Sequence, residues 1–128
     1  MINLKNKKGI ILGIANEKSI AWGIAEKLNE CGAQLAFSYV NDSIKKRLKP
    51  LAEKCNSNLI YECDVQDLDK LKSIAKKVNL PDLLFLNAGF YRPVDASEKN
   101  TENYRSHINV NYLGVINAYE VFLPRMLL

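Results

Sequence analysis

The sequence predicts an α/β fold in three layers, a parallel sheet of about four strands between helices. Three observations carry this expectation. Short apolar runs alternate with segments of helical period along the 128 residues. The first run, Ile10–Leu12, ends in Gly13, and a polar turn leads to a helical pattern that opens near Ser19. No internal repeat, low-complexity tract or linker interrupts the alternation, so residues 1–128 read as one domain.

Each element has its own justification. Gly9–Leu12 reads as a buried strand. Ser19–Cys31 reads as a helix, because Ile20, Ile24, Leu28 and Cys31 recur at helical spacing and Gly32 stops it. Gln34–Val40 is a second strand. Ser43–Lys54 is a basic helix with a kink or restart expected at Pro50. Asn58–Cys63 is a third strand. Asp67–Val78 is an amphipathic helix, with Leu68, Leu71, Ile74, Ala75 and Val78 on one face. Leu83–Leu86 is a fourth strand ending at Asn87-Ala88-Gly89. After a polar loop, one long helix is expected from Thr101 to Phe122, with Pro124 beyond it. Right-handed crossovers turn this alternation into a parallel, Rossmann-type sheet, in which ligands bind at the carboxyl ends of the strands.

Composition narrows the function classes. The chain is 48% hydrophobic and 25% charged, with a net charge of +4, as in an ordinary globular protein. Its lysines are scattered over expected helices without interleaved aromatics, which argues against nucleic acid. Cys31, Cys55 and Cys63 are odd in number and form no C-x-x-C, and His107 is the lone histidine. Neither a disulfide framework nor a metal site is expected, and a reducing cytoplasm fits. No run approaches the roughly 18 apolar residues of a membrane span.

The turns after the strands hold the candidate site. The first offers Gly13, Ala15, Ser19 and Ile20 at a helix N-terminus, where free amides and the positive dipole end favour phosphate. Ser19 either caps that helix or donates to a phosphate oxygen. The strict G-x-G-x-x-G spacing is absent. The second turn, Ser38 to Asp42, faces the adenosine ribose in a dinucleotide site, while Asp42 is equally read as a helix cap. In the third, Asp64 either accepts from an adenine amino group, with Val65 packed on the ring, or begins the next helix. In the fourth, Gly89 lets the backbone pass close to a ligand and Asn87 bridges neighbouring strand ends. Inside the last helix, Asn109, Asn111 and Gly114 lower helix propensity. Asn111 is read as opening that helix and placing a water near the strand ends. Trp22 and Tyr112 are read as core or interface packing.

Together these residues resemble the short-chain dehydrogenase/reductase family over nearly the whole chain. Gly13-Ile-Ala-Asn-Glu-Lys-Ser19-Ile-Ala-Trp-Gly-Ile-Ala, Gly32-Ala-Gln-Leu-Ala-Phe-Ser-Tyr and Cys63-Asp64-Val65 resemble its enoyl-acyl carrier protein reductase branch. Asn87-Ala88-Gly89, Asn109-Val-Asn111-Tyr-Leu-Gly114 and Leu123-Pro-Arg-Met126 look like the wider family, so a change of subfamily is expected near residues 78–82. The resemblance implies NADH as cofactor, favoured over NADPH, and reduction of the 2,3 double bond of an acyl thioester on acyl carrier protein. It implies pyrophosphate at Gly13, Ser19 and Ile20, and adenine at Asp64 and Val65. Val40 stands where the branch often has glutamine near the adenosine, and Asn111 matches the family's tetrad asparagine.

The family's serine and Tyr-x-x-x-Lys lie downstream in such enzymes, and no tyrosine here has a lysine four residues on. The expectation is therefore a cofactor-binding half that is catalytically incomplete alone, with an exposed edge on the fourth strand, marginal stability and self-association. The helix over 101–122 is expected to pair with a second copy. The alternatives are an interaction module without chemistry, a generic short-chain alcohol or ketone oxidoreductase, and a small flavin binder.

Overall fold

The fold was determined as a computed structural model, which describes residues 2–128. Four parallel strands form one sheet: β1 (Lys8–Leu12), β2 (Gln34–Tyr39), β3 (Ile60–Glu62) and β4 (Leu83–Leu86), in the order β3-β2-β1-β4. Helices α1 (Ile20–Glu30), α2 (Asp42–Lys54) and α3 (Leu68–Lys77) follow the first three strands. After β4 the chain forms α4 (Thr101–Ile108), a π-helical turn (Asn109–Leu113) and α5 (Gly114–Met126). The expected partial Rossmann-type sheet is therefore present.

Strand side chains alternate between two cores, as the period of two requires. Ile11, Leu35 and Phe37 face α1 and α2, meeting Ala21, Trp22, Ala25, Leu48 and Leu51. Ile10, Leu12 and Ala36 face the opposite way, against Leu71, Ile74 and Ala75 of α3 and Ala118 and Phe122 of α5. Phe37 and Phe122 have no exposed surface and anchor the two sides. β1 is sandwiched between β2 and β4, which is why Gly9 to Leu12 is fully buried. β4 pairs with β1 alone among the described residues and is only half-buried, so its far side is an open edge.

Three expectations need correction. Pro50 does not restart α2, which is one helix from Asp42 to Lys54 with the proline inside it. Pro50 sits on the exposed side of the helix, as does Lys46, the residue whose carbonyl loses its donor there. Pro124 likewise lies inside α5, again on the wet face. The helix expected over 101–122 is two helices joined by the π-helical turn, because one extra residue is accommodated at Asn109–Leu113. Tyr112, read as core or interface packing, is 62% exposed, so it is not core, and the interface alternative stays open. Smaller differences are at strand ends: β2 stops at Tyr39 and β3 covers only Ile60–Glu62. The connection between α3 and β4 spans residues 78–82, and Leu80 within it takes a positive φ of 37°.

At the amino-terminal ends of β1 and β4, Lys8 and Asp82 lock the strands together. The Lys8 amide donates to Asp82 Oδ2 at 2.8 Å, the Asp82 amide donates to the Lys8 carbonyl at 2.8 Å, and Lys7 Nζ pairs with Asp82 Oδ1 at 2.8 Å. The hydrogen bond from Lys7 holds the Asp82 carboxyl below its ordinary range, with the Lys8 amide adding to the effect.

Candidate functional site

The carboxyl ends of all four strands converge, and a cleft of about 290 Å³ opens there. Beside it runs the switch point between β1 and β4, where the strand order leaves the sequence order.

Gly13 shapes the first wall. Its φ of 101° is open to glycine and costly for other residues. A Cβ there would overlap the backbone of Ala88. The Gly13 turn is thus pressed directly onto the end of β4. Asn87 Nδ2 donates to the Gly13 carbonyl at 3.2 Å, which is the bridge between strand ends that its type suggested.

The N-terminus of α1 follows. The Ser19 hydroxyl accepts from the Trp22 amide at 3.3 Å and donates to the Asn16 carbonyl at 2.7 Å, so it acts as the helix cap. The amides of Ile20 and Ala21 precede the first i→i−4 bond and point out of the helix end. Ser19 and the 79%-exposed Ile20 sit outside the cleft lining, whereas Gly13 and Ala15 are part of it.

Val40, at the end of β2, lines the cleft beside Tyr39. Lys45 places its ammonium 5.4 Å from the Tyr39 ring centroid, a cation–π contact just behind that wall. Asn41 Oδ1 accepts from the Ile44 amide, so Asn41 caps α2 and Asp42 is its first residue.

Asp64 and Val65 line the cleft after β3. Asp64 Oδ1 accepts from the Gln66 amide at 3.0 Å, closing a local turn, and the Gln66 side chain donates to both carboxylate oxygens at 3.3 Å. The helix cap is Asp67, whose Oδ1 accepts from Asp69 and Lys70. The Asp64 carboxylate keeps lone pairs free for a further donor. Cys63 is buried behind it. Burial pushes its thiol up to about 12, and the nearby Asp64 and Asp67 charges add to the shift. It is a packing group there, not a nucleophile.

Ala88, Gly89 and Phe90 form the last wall. Asn111 stands behind them at the centre of the π-helical turn. Its Oδ1 accepts from the Phe90 amide at 2.6 Å and its Nδ2 donates to the Phe90 carbonyl at 2.8 Å. Both polar atoms of the Asn111 side chain are thereby engaged with the backbone after β4. Lining residues that the sequence left without a role are Ile14, Ile44, Gln66, Phe90 and Val110, whereas Ser38 and Tyr39 belong to the second turn as expected. Phe90 alone had a signal, its place directly after Gly89. Val110 was hidden by the assumption of regular helix periodicity.

A family model described as "Enoyl-(Acyl carrier protein) reductase" matches residues 13–127. The chain belongs to this family. The matched span includes all four walls of the cleft and extends to both sides of residues 78–82. Among curated relatives, the enoyl-[acyl-carrier-protein] reductase [NADH] 2 of Rhizobium meliloti is 43% identical over 75 residues, 59% of this chain and 28% of that protein. The Rickettsia typhi enoyl-[acyl-carrier-protein] reductase [NADH] FabI is 40% identical over 111 residues, 78% of this chain and 42% of that protein. The crystal structure of FabI from Candidatus Liberibacter asiaticus superposes with a TM-score of 0.88 at 34% identity, covering 98% of this chain and 52% of its own. The Anaplasma phagocytophilum reductase, solved in complex with NAD, gives a TM-score of 0.86 at 27% identity, covering 98% of this chain and 51% of its own. The chain thus spans less than half the length of these curated relatives and about half of the solved chains. No helix among the described residues is long and apolar enough to cross a membrane.

Proposed function

We propose that the chain is the NADH-binding portion of an enoyl-acyl carrier protein reductase, whose whole reaction reduces the 2,3 double bond of an acyl thioester on its carrier protein. The observation that carries this reading is the convergence of the Gly13 turn, the Asp64-Val65 turn and Ala88-Gly89 on one cleft at the switch point. The relatives named [NADH] and the relative solved with NAD support it.

The residues fit a dinucleotide. Gly13 brings backbone close to the strand ends, and the amides of Ile20 and Ala21, at the α1 terminus capped by Ser19, would meet the pyrophosphate. Asp64 would accept from the adenine amino group, with Val65 against the ring. Val40 and Tyr39 would face the adenosine ribose, and Asn87 to Gly89 the middle of the cofactor. When bound, the nicotinamide supplies the hydride. Asn111, matching the tetrad asparagine, would act from behind the wall by holding Phe90.

Titration of the purified chain with NADH, and separately NADPH, tests the reading by calorimetry. Saturable NADH binding that weakens in Asp64→Ala is expected. Binding of neither nucleotide would overturn it. A change of subfamily at residues 78–82 belongs to the same proposal, as does a cytoplasmic setting, supported by three free thiols.

A specific observation favours self-association as well. Tyr104, Ile108, Tyr112, Ile116 and Tyr119 are all exposed along α4, the π-helical turn and α5. We propose that a second copy covers this row. Size-exclusion chromatography with light scattering should show a dimer or larger, and a strict monomer at high concentration would count against it.

A further inference from the structure

His107 lies in the last turn of α4 with both ring nitrogens engaged by groups of fixed polarity. Nδ1 is 2.6 Å from the Asn103 carbonyl oxygen, which only accepts. Nε2 accepts from the Arg92 amide at 3.2 Å, which only donates. These partners define the ring: the proton is on Nδ1 and the lone pair on Nε2. The imidazole also stands edge-on to Phe90, at 5.0 Å and 76°, and to Tyr91, at 6.2 Å and 86°.

The segment it touches belongs to no helix or strand and follows Gly89 directly. Asn111 holds this segment by both backbone groups of one residue, Phe90. Attachment at a single residue fixes position but leaves the following chain free to swing. A second attachment two residues on, at Arg92, fixes direction too. Phe90 lines the cleft, so the orientation of this segment sets the shape of the wall.

We propose that His107, in its Nδ1–H form, is a positioning residue that completes a two-point clamp on Phe90–Arg92 and so shapes the cleft. Its consequence for cofactor affinity rests on the NADH reading above, and the clamp itself does not. The variants are His107→Gln, whose side-chain oxygen reaches toward the Nε2 position and keeps an acceptor, and His107→Leu, which keeps bulk without one.

Ring ¹⁵N NMR of the unmodified chain should show the Nδ1–H tautomer. Amide exchange at Arg92, without ligand, should quicken in His107→Leu by about 2- to 10-fold, the range of one hydrogen bond, and recover in His107→Gln. NADH affinity should fall and recover in parallel, while strand amides of Ile10 and Leu12 stay protected in every variant. An Nε2–H tautomer, or unchanged Arg92 exchange in His107→Leu, overturns the clamp. Failure of the unmodified chain to bind NADH overturns the proposed function instead, and the tautomer and Arg92 exchange still decide the role of His107.

Discussion

Gly114 lies directly under Val65. A Cβ on Gly114 would overlap Val65 Cγ2, and Asn117, one turn on, donates from Nδ2 to the Val65 carbonyl at 3.0 Å. The start of α5 is therefore seated on the turn that follows β3, and the absence of a side chain at 114 sets how closely. Gly114→Ala should destabilise the fold by about 1–3 kcal/mol through overpacking. Val65→Ala in the same chain should relieve part of that loss, with a coupling of about 0.5–3 kcal/mol in a double-mutant cycle read by urea unfolding. Strictly additive single effects would show that the two residues do not press on each other.

Gly13→Ala combines two penalties, a positive φ and a collision with the Ala88 backbone. The expected loss is on the order of 3 kcal/mol. Nucleotide affinity should fall with it, because the first wall of the cleft must retreat. A variant as stable as the parent chain, by thermal unfolding, contradicts this geometry.

The three thiols should separate by reactivity. Cys31 is partly exposed, whereas Cys55 and Cys63 are buried. Burial raises the Cys55 thiol, with Glu26 contributing, and pushes Cys63 to about 12, so both stay protonated at pH 8. A disulfide reagent added to the folded chain should modify Cys31 rapidly and the other two only on unfolding. Fast modification of Cys63 in the native chain would refute its burial behind Asp64.

The Lys7–Asp82 pair gives a dependence on acid. A carboxyl held below its ordinary range stabilises the fold above the unfolded value and loses that contribution as pH falls through the folded value. Both side chains are substantially solvent-exposed, so the effect is small. Asp82→Asn should lower the melting temperature slightly at neutral pH, and the difference from the parent chain should vanish once the carboxyl is protonated. A difference that persists undiminished in strong acid would assign the loss to packing.

Elements built on local rules were readable from sequence. Gly32, at φ 95°, ends α1 where its type indicated, and Leu83–Leu86 is strand over its full expected length. Gly13, Ala15, Val40, Asp64, Val65, Ala88 and Gly89 all reach one cleft, because each follows or ends a strand and parallel strands end on the same side. What escaped the sequence depends on tertiary geometry. Proline at 50 and 124 is tolerated because each falls on a wet helix face, which a breaker rule does not see. The π-helical turn holds Asn111 against the Phe90 backbone, a partner 21 residues away that no local pattern reveals. Ser19 looked equally suited to phosphate and to capping, and only the positions of the Asn16 carbonyl and Trp22 amide show where its hydroxyl goes.

The strand order carries a consequence for how the chain folds. β1 meets β2 after a short excursion through α1, with Lys8 opposite Gln34, but it meets β4 only after two further strands and two further helices, with Gly9 opposite Leu83. The second pairing closes a loop nearly three times longer, an added entropic cost of roughly 1 kcal/mol before any contact repays it. Assembly is therefore expected to begin with β1, β2 and the side of the sheet that holds Trp22 and Phe37. The arrival of β4 is then the late step, and it brings Asn87 to Gly13 and Asp82 to Lys8 together. The cleft at the strand ends comes into being last, as the seam along which the finished early half receives the rest of the chain.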